Sequence, residues 1–274
     1  MDRRDLSSQT VVVTGASSGI GVALARALAA RGAGLVLVAR RRERLERLAA
    51  ELEGAHGTAV TVVPLDLSAP SAPADLRAAL SDAGITVTSL VNNAGFGTFG
   101  DFLDEDPRRL AEEIAVDVSA PVQLSHAFLP GIVAARGFLI NVASMAAYTP
   151  TPRMAVYGAS KAFVLSFTES LWAELRGTGA TVFALSPGAT STEFNAVVGT
   201  DDATAGASMR TPDDVAATAM DHLDRRNPGP GVIDGIGNRL GASVMRLASR
   251  RSTAAVMHRV TDPARRDRTR SGSR

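Results

Sequence analysis

Twelve residues near the N-terminus, Thr10-Val-Val-Val-Thr-Gly-Ala-Ser-Ser-Gly-Ile-Gly, constrain the fold more than any other stretch. A short β-branched run reads as a buried strand, and the glycines after it as a tight turn. Ile20, Leu24, Ala27, Leu28 and Arg31 then recur at helical spacing. Gly15, Gly19 and Gly21 let a ligand approach the backbone closely, and amides at a helix start make a seat for pyrophosphate. The spacing is Gly-x-x-x-Gly-x-Gly rather than the Gly-x-Gly-x-x-Gly of the dinucleotide fingerprint. A ligand-free glycine turn is the plainer alternative.

The same alternation continues along the chain. A second strand over 35–39 ends at Arg40, Arg41 and Arg42. In dinucleotide folds an acid at this place binds the ribose 2′-hydroxyl of NAD, and Arg accommodates the 2′-phosphate of NADP. Here the acid is absent, so Arg40 and Arg41 point to NADP(H), while the neighbouring arginines fit a solvated helix face over Leu45, Leu48 and Leu52. A third strand, 59–65, leads to Asp66, which suits either an adenine amino group or a helix cap or turn. A fourth enters the small-residue turn Asn92-Asn93-Ala94-Gly95. A long helical segment from about 107 to 128 precedes a fifth strand at 138–143, and a sixth at 181–185 runs into Ser186-Pro187-Gly188-Ala189-Thr190-Ser191-Thr192. The small residues of 193–210 read as a mobile segment over the site. A helix over about 212–226 and a short strand at 231–233 follow. Strands alternating with helices imply a doubly wound α/β fold with a parallel sheet, and a length of 274 residues suits one large domain.

Between Ser144 and Lys161 lie the residues with proton chemistry. Tyr157 and Lys161 stand at i and i+4, one turn apart on a helix face. Ser144 ends the fifth strand and is separated from them by a loop holding Pro150 and Pro152. A Ser hydroxyl can hold a carbonyl oxygen, a Tyr can give it a proton, and a Lys ammonium favours the phenolate. The spacing alone is common on solvated helices. The chain, however, has 28 Arg and a single Lys, and that Lys is Lys161. A sequence that elsewhere uses Arg for every cation keeps the compact ammonium here.

Composition removes several alternatives. With no Cys there is no disulfide, thiol catalysis or Cys-ligated metal site, which fits a cytoplasmic protein. The four His lack ligand-like spacing, so no metal is expected. The charged start Met1-Asp-Arg-Arg-Asp shows no targeting signal. From Arg239 onward ten Arg face two Asp, a balance of +8, while the preceding body carries −7 from 19 basic and 26 acidic residues. Drawn as one helix from Leu240, the tail gathers Val244, Leu247, Ala248, Ala254 and Ala255 on one side and Arg239, Arg246 and Arg250 on another. That pattern fits a partner subunit, an anionic membrane surface, or a plain solvated helix. The tail lacks the aromatics on which single-stranded nucleic acid stacks, so no nucleic-acid partner is expected.

Thr14-Gly15-Ala-Ser-Ser-Gly19-Ile-Gly21, Asn92-Asn93-Ala94-Gly95, Ser144, Tyr157-Gly-Ala-Ser-Lys161 and Pro187-Gly188 together resemble the short-chain dehydrogenase/reductase family over about residues 9–235. The resemblance implies a single Rossmann-type domain with a seven-stranded parallel sheet, spanning 9–238, before a basic extension, 239–274, partly helical and then disordered. It also implies hydride transfer between NADP(H) and a carbonyl or secondary alcohol. Tyr157 would be the general acid/base and Ser144 would orient the carbonyl. Lys161 would bind the nicotinamide ribose and favour ionised Tyr157. Gly15, Ser17, Ser18, Gly19, Ile20, Gly21, Arg40, Arg41, Asp66, Asn93, Ala94, Gly95, Pro187, Gly188, Thr190 and Thr192 fall at cofactor positions. One departure stands out: Asp117 occupies the place of an Asn that helps hold a relay water. A homo-oligomer, dimer or tetramer, is expected, because the family pairs its long helices across two-folds. Phe96, Met145, Tyr148, Met154 and Phe194 would line a largely apolar substrate mouth with Arg153 as its cation. An NADP-binding sensor without turnover, and a sugar or steroid alcohol dehydrogenase, are the competing readings.

Overall fold

The computed structural model describes residues 3–194, 198 and 209–261. Seven strands, β1 (Thr10–Thr14), β2 (Gly34–Ala39), β3 (Val60–Pro64), β4 (Ser89–Asn92), β5 (Phe138–Val142), β6 (Thr181–Ser186) and β7 (Gly231–Ile233), pair in parallel in the order β3-β2-β1-β4-β5-β6-β7. Parallel strands need crossovers. These are α1 (Gly19–Ala29), α2 (Arg42–His56), α3 (Ala72–Asp82), α4 (Pro107–Ile114), α5 (Ala120–Ala134), α6 (Ala155–Glu174) and α7 (Pro212–Leu223).

Helices cover both faces of the sheet, which explains why its strands are mostly apolar rather than alternating. Val11 and Val13 of β1 pack on one side with Leu24 and Leu28 of α1, Leu45 of α2 and Val215 of α7. Val12, pointing the other way, meets the cluster containing Leu76 of α3 and Leu124, Phe128 and Ile132 of α5. Strand order reverses between β1 and β4, and in open α/β sheets the crevice beyond that switch point is where ligands bind. The glycine turn and Asn92-Asn93-Ala94-Gly95 leave the sheet there side by side.

Two expectations need adjustment. The long segment before β5 is three pieces: α4, a π-helical turn over Ala115–Ser119, and α5, which carries Pro130 and ends six residues later than the apolar pattern suggested. The tail is not one helix. Ala248 and Ser249 are extended, with ψ of 149° and 144°, and split it into α8 (Ile236–Leu247) and α9 (Arg250–Val260). The Ser249 side chain caps α9 by accepting from the Ser252 amide at 3.1 Å. The wheel that joined Val244 to Ala254 and Ala255 therefore does not exist. The expected boundary at 238/239 falls inside α8. Most of 193–210 and the residues after 261 lie outside the described residues.

Candidate active site

Two loops are bolted together at the floor of the crevice. The Thr14 hydroxyl accepts from the amides of Asn93 (2.9 Å) and Ala94 (3.0 Å), and Asn93 Nδ2 donates to the Thr14 carbonyl at 2.9 Å and to that of Gly15 at 3.3 Å. Asn93 thus holds the glycine turn in place. Gly21 sits so close that a Cβ there would lie 2.3 Å from the Gly15 carbonyl oxygen. Gly19 has a φ of 54°, and a Cβ on it would meet Thr192 Cγ2 at 2.8 Å. The loop after β6 therefore closes over the start of α1. Ser18 is the N-cap of α1 in extended conformation, without a side-chain cap, so the amides of this helix start are not closed off by it.

An anion pocket opens beside that helix start. Arg41 donates to Ser17 Oγ through Nε (3.2 Å) and Nη2 (3.0 Å), and its Nη1 pairs with Glu193 at 2.8 Å. Arg44 pairs with the other oxygen of Glu193 at 2.5 Å. The two guanidinium groups pull the Glu193 carboxyl down to about 2. Arg41 and Arg44 form this ion-paired patch, while Arg40, exposed like Arg41, acts by its charge on Asp66. Asp66 Oδ1 accepts from the Ser68 amide at 3.0 Å and hydroxyl at 2.8 Å, as a turn residue does. Arg44 and Glu193 were missed by sequence reasoning. Arg44 stood in a run of like residues, and Glu193 lies more than 140 positions away.

On the other side of the crevice, Ser144 leaves β5 extended and caps the turn Met145–Tyr148, its Oγ accepting from the Ala146 amide at 3.1 Å. The Met145 amide bonds the Pro187 carbonyl at 2.9 Å, tying this turn to the loop after β6. Tyr157 and Lys161 project from the first turns of α6, and the Ser144 hydroxyl acts on the Tyr157 phenol, favouring its ionised form. Lys161 Nζ lies 5.5 Å from the Tyr157 ring centroid, donates to the Val142 carbonyl at 3.3 Å, and forms an ion pair with Asp117 at 3.0 Å. Burial by itself would lower the Lys161 ammonium, but Asp117 outweighs it and holds its pKa above the usual value. Burial pushes the Tyr157 phenol up, and the Lys161 charge pulls against that.

The expected mouth is assembled in part. Phe194 packs on Tyr157 with ring centroids 5.2 Å apart, Met154 is buried beside Gly97, and Tyr148 and Ser186 share a hydrogen bond of 3.3 Å. Phe96 lies under Arg109, 4.1 Å from its ring centroid. Arg153 adopts a φ of 69°, pairs with Asp101 at 3.7 Å and reaches Thr261 just after α9 at 3.5 Å. Gly188 and Thr190 lie at the end of β6, where the Thr190 hydroxyl donates to the Gly188 carbonyl at 3.0 Å. No cluster of metal-ligating side chains occurs among the described residues.

A doubly wound parallel sheet with a glycine turn, an anion pocket and a Ser–Tyr–Lys cluster at its switch point defines a nucleotide-binding oxidoreductase. The chain belongs to the short-chain dehydrogenase family, whose profile matches residues 9–203. A short chain dehydrogenase of Pseudocercospora fijiensis is 36% identical over 221 residues, 79% of this chain and 66% of that one. Sulfoacetaldehyde reductase of Chromohalobacter salexigens is 39% identical over 215 residues, 75% of this chain and 84% of the relative. Among solved structures, a short-chain dehydrogenase from Sphingobium yanoikuyae in complex with NADPH superposes with a TM-score of 0.77 at 33% identity, covering 87% of this chain and 94% of that one. The family's cofactor is a nicotinamide dinucleotide, and the open helix start with its glycine cradle fits one. No helix among the described residues is long and apolar enough to cross a membrane.

Proposed function

We propose that this protein is an NADP(H)-dependent reductase of apolar ketones or aldehydes, reversible toward the secondary alcohol, with Tyr157 as general acid/base. The observation that carries the reading is the placement of the chain's single lysine, sealed from water, beside the Tyr157 phenol, its Nζ 5.5 Å from the ring centroid. The bound dinucleotide supplies or accepts the hydride. Ser144 donates to the carbonyl oxygen and fixes its place. Tyr157 gives that oxygen a proton in reduction and takes it back in oxidation. Lys161 keeps a positive charge beside the phenol, and Asp117 keeps Lys161 charged. A sensor that only binds the dinucleotide has no use for such a buried acid.

NADP is favoured over NAD because Arg41, braced on Ser17, and Arg44 already hold a carboxylate between them. The NADPH complex of the Sphingobium relative supports the same choice. An apolar substrate is supported by Phe194 and Met154 beside Tyr157, and by the ion pair of Arg153 with Asp101. We also assign 9–238 to the catalytic domain and 239–274 to an extension, place the protein in the cytoplasm, and expect a dimer or tetramer. Exposed Phe163 on α6, and Ile236, Leu240 and Val244 on α8, offer apolar area for subunit contact or for a weak membrane-surface contact. A panel of apolar carbonyls, followed by loss of NADPH absorbance, tests the reading. Turnover confined to NADH, or to charged substrates, would overturn it.

A further inference from the structure

Behind Tyr157 the pocket holds one more ionisable group than its proposed chemistry uses. Glu113 lies in the last turn of α4 and is fully buried. Its Oε2 accepts from the Thr98 amide at 3.1 Å, while its Oε1 has no hydrogen-bond partner. Asp117, four residues on and also fully buried, accepts from the Phe96 amide at 3.0 Å. Two carboxyls one helical turn apart thus grip alternate amides of the loop that begins with Asn93, Ala94 and Gly95. A Cβ on Gly95 would lie 2.9 Å from Lys161 Nζ and 3.0 Å from Asp117 Oδ1, so that loop touches the ion pair itself.

The charge inventory decides the state of Glu113. Asp117 has Lys161 at 3.0 Å, so the two form an ion pair; burial pushes the Asp117 carboxyl up and the Lys161 charge pulls it back down. Glu113 has one amide and no cation, and an unpaired carboxylate away from water is costly. The charged or titratable groups acting on it are Asp117 on its own side of the pocket, Lys161 and Tyr157 on α6, and Glu105 before α4. None but Lys161 is a cation, and Lys161 is already engaged.

We infer that Glu113 is a positioning residue for the Tyr157–Lys161–Asp117 constellation, the neutral proton-carrying carboxyl that holds the 96–98 loop and keeps the pocket uncharged. Burial, with Asp117 adding to it, pushes the Glu113 carboxyl up to about 7. Losing that proton leaves a second negative charge, which raises both Tyr157 and Lys161 and so opposes the phenolate needed for alcohol oxidation. The inference rests on the reading of Tyr157 as acid/base, and its test separates the two.

Glu113→Gln keeps an oxygen for the Thr98 amide and is neutral at every pH. In NADP-linked alcohol oxidation, the pH profile of kcat/KM for this variant should shift to lower pH by about half a unit, giving about threefold higher values on the rising limb. Glu113→Leu, which also loses the amide acceptor, should lower kcat/KM at every pH. Coincident profiles for wild type and Glu113→Gln would overturn the inference, as would a shift to higher pH. A measurement without substrate stands beside it. The full-length wild-type protein should show a protonated-carboxyl infrared band that fades between pH 6 and 8 and is missing from Glu113→Gln. Absence of that band overturns the inference even if no carbonyl is ever turned over. Its presence in a protein without turnover sinks the Tyr157 reading and leaves the state of Glu113 supported.

Discussion

Asp117 Oδ2 lies 3.0 Å from Lys161 Nζ, and neither side chain has meaningful contact with water. Removing one member of a buried pair typically costs about 3–5 kcal/mol, because the other charge is left uncompensated. Asp117→Asn keeps an oxygen for the Phe96 amide but strands the ammonium. Glu113, one turn away, can then ionise in its place. The loss in urea-unfolding free energy for Asp117→Asn should therefore fall short of that range. Adding Glu113→Gln should cost more than the sum of the two single changes. Strict additivity would show that the two carboxyls do not share Lys161.

Lys161→Arg tests the ammonium itself. A cation that only solvated a helix would tolerate the change in a chain that uses Arg at every other such position. The guanidinium spreads its charge over a plane and binds as a fork, so it cannot occupy the space between Val142, Asp117 and Tyr157 in the same way. Losing a positioned acid/base contribution costs about 10²–10⁴ in rate. Turnover should fall at least a hundredfold, with NADP(H) binding weakened less. Steady-state kinetics with wild-type-like turnover would refute the role.

What the sequence disclosed and what it hid follow from range. The glycine turn, the Asn93 turn and Tyr157–Lys161 were legible because each is local: strand, turn and helix signals lie within a few residues. The parallel, doubly wound sheet followed from alternation and its seven strands from the family resemblance, whereas their pairing order came from the structure. Arg44 and Glu193 were not legible, since their pairing joins a helix after β2 to a loop after β6. Asp117 was singled out only as a departure from the family pattern; its partner emerged from the π-turn that points it at α6. Glu113 looked like one more acid in Glu112-Glu113, and only burial separates it from its exposed neighbour. The tail failed for a local reason: Ser249 is a good N-cap inside what looked like one amphipathic run.

Cofactor choice turns on Arg41 and its competitor. Arg41→Ala should weaken binding of 2′,5′-ADP about tenfold or more while leaving 5′-AMP unchanged, since a charge-assisted contact contributes about 1.5–3 kcal/mol. Glu193→Gln should act the other way. It frees Arg41 and Arg44 for phosphate, so NADP(H) should bind severalfold tighter and NAD(H) equally well. Calorimetric titration of the four pairs decides it. Weaker NADP(H) binding by Glu193→Gln would mean that Glu193 clamps the bound cofactor rather than competing with its phosphate.

Stability against pH offers the last check, and its sign is fixed by the direction of one shift. Glu113 ionises near 4.5 when unfolded and at about 7 when folded, so the native state holds its proton more tightly. A group raised in this way contributes stability that is complete below its unfolded value and fades as pH rises through its folded value. Between pH 4.5 and 7 the unfolded chain sheds the Glu113 proton and the folded chain retains it, which draws the equilibrium toward unfolding. Above pH 7 the loss is complete. His222 runs opposite: burial lowers its pKa, so its share of stability is present above its unfolded value of 6.5 and falls as pH drops below it. Its pH window therefore overlaps that of Glu113, and only a variant isolates the carboxyl. The difference in Tm between Glu113→Gln and wild type should move steadily in favour of the variant from pH 5 to pH 7.5 and then level off. Calorimetric melts that show a constant difference across that range would mean that Glu113 has the same affinity for its proton in the folded and unfolded chain.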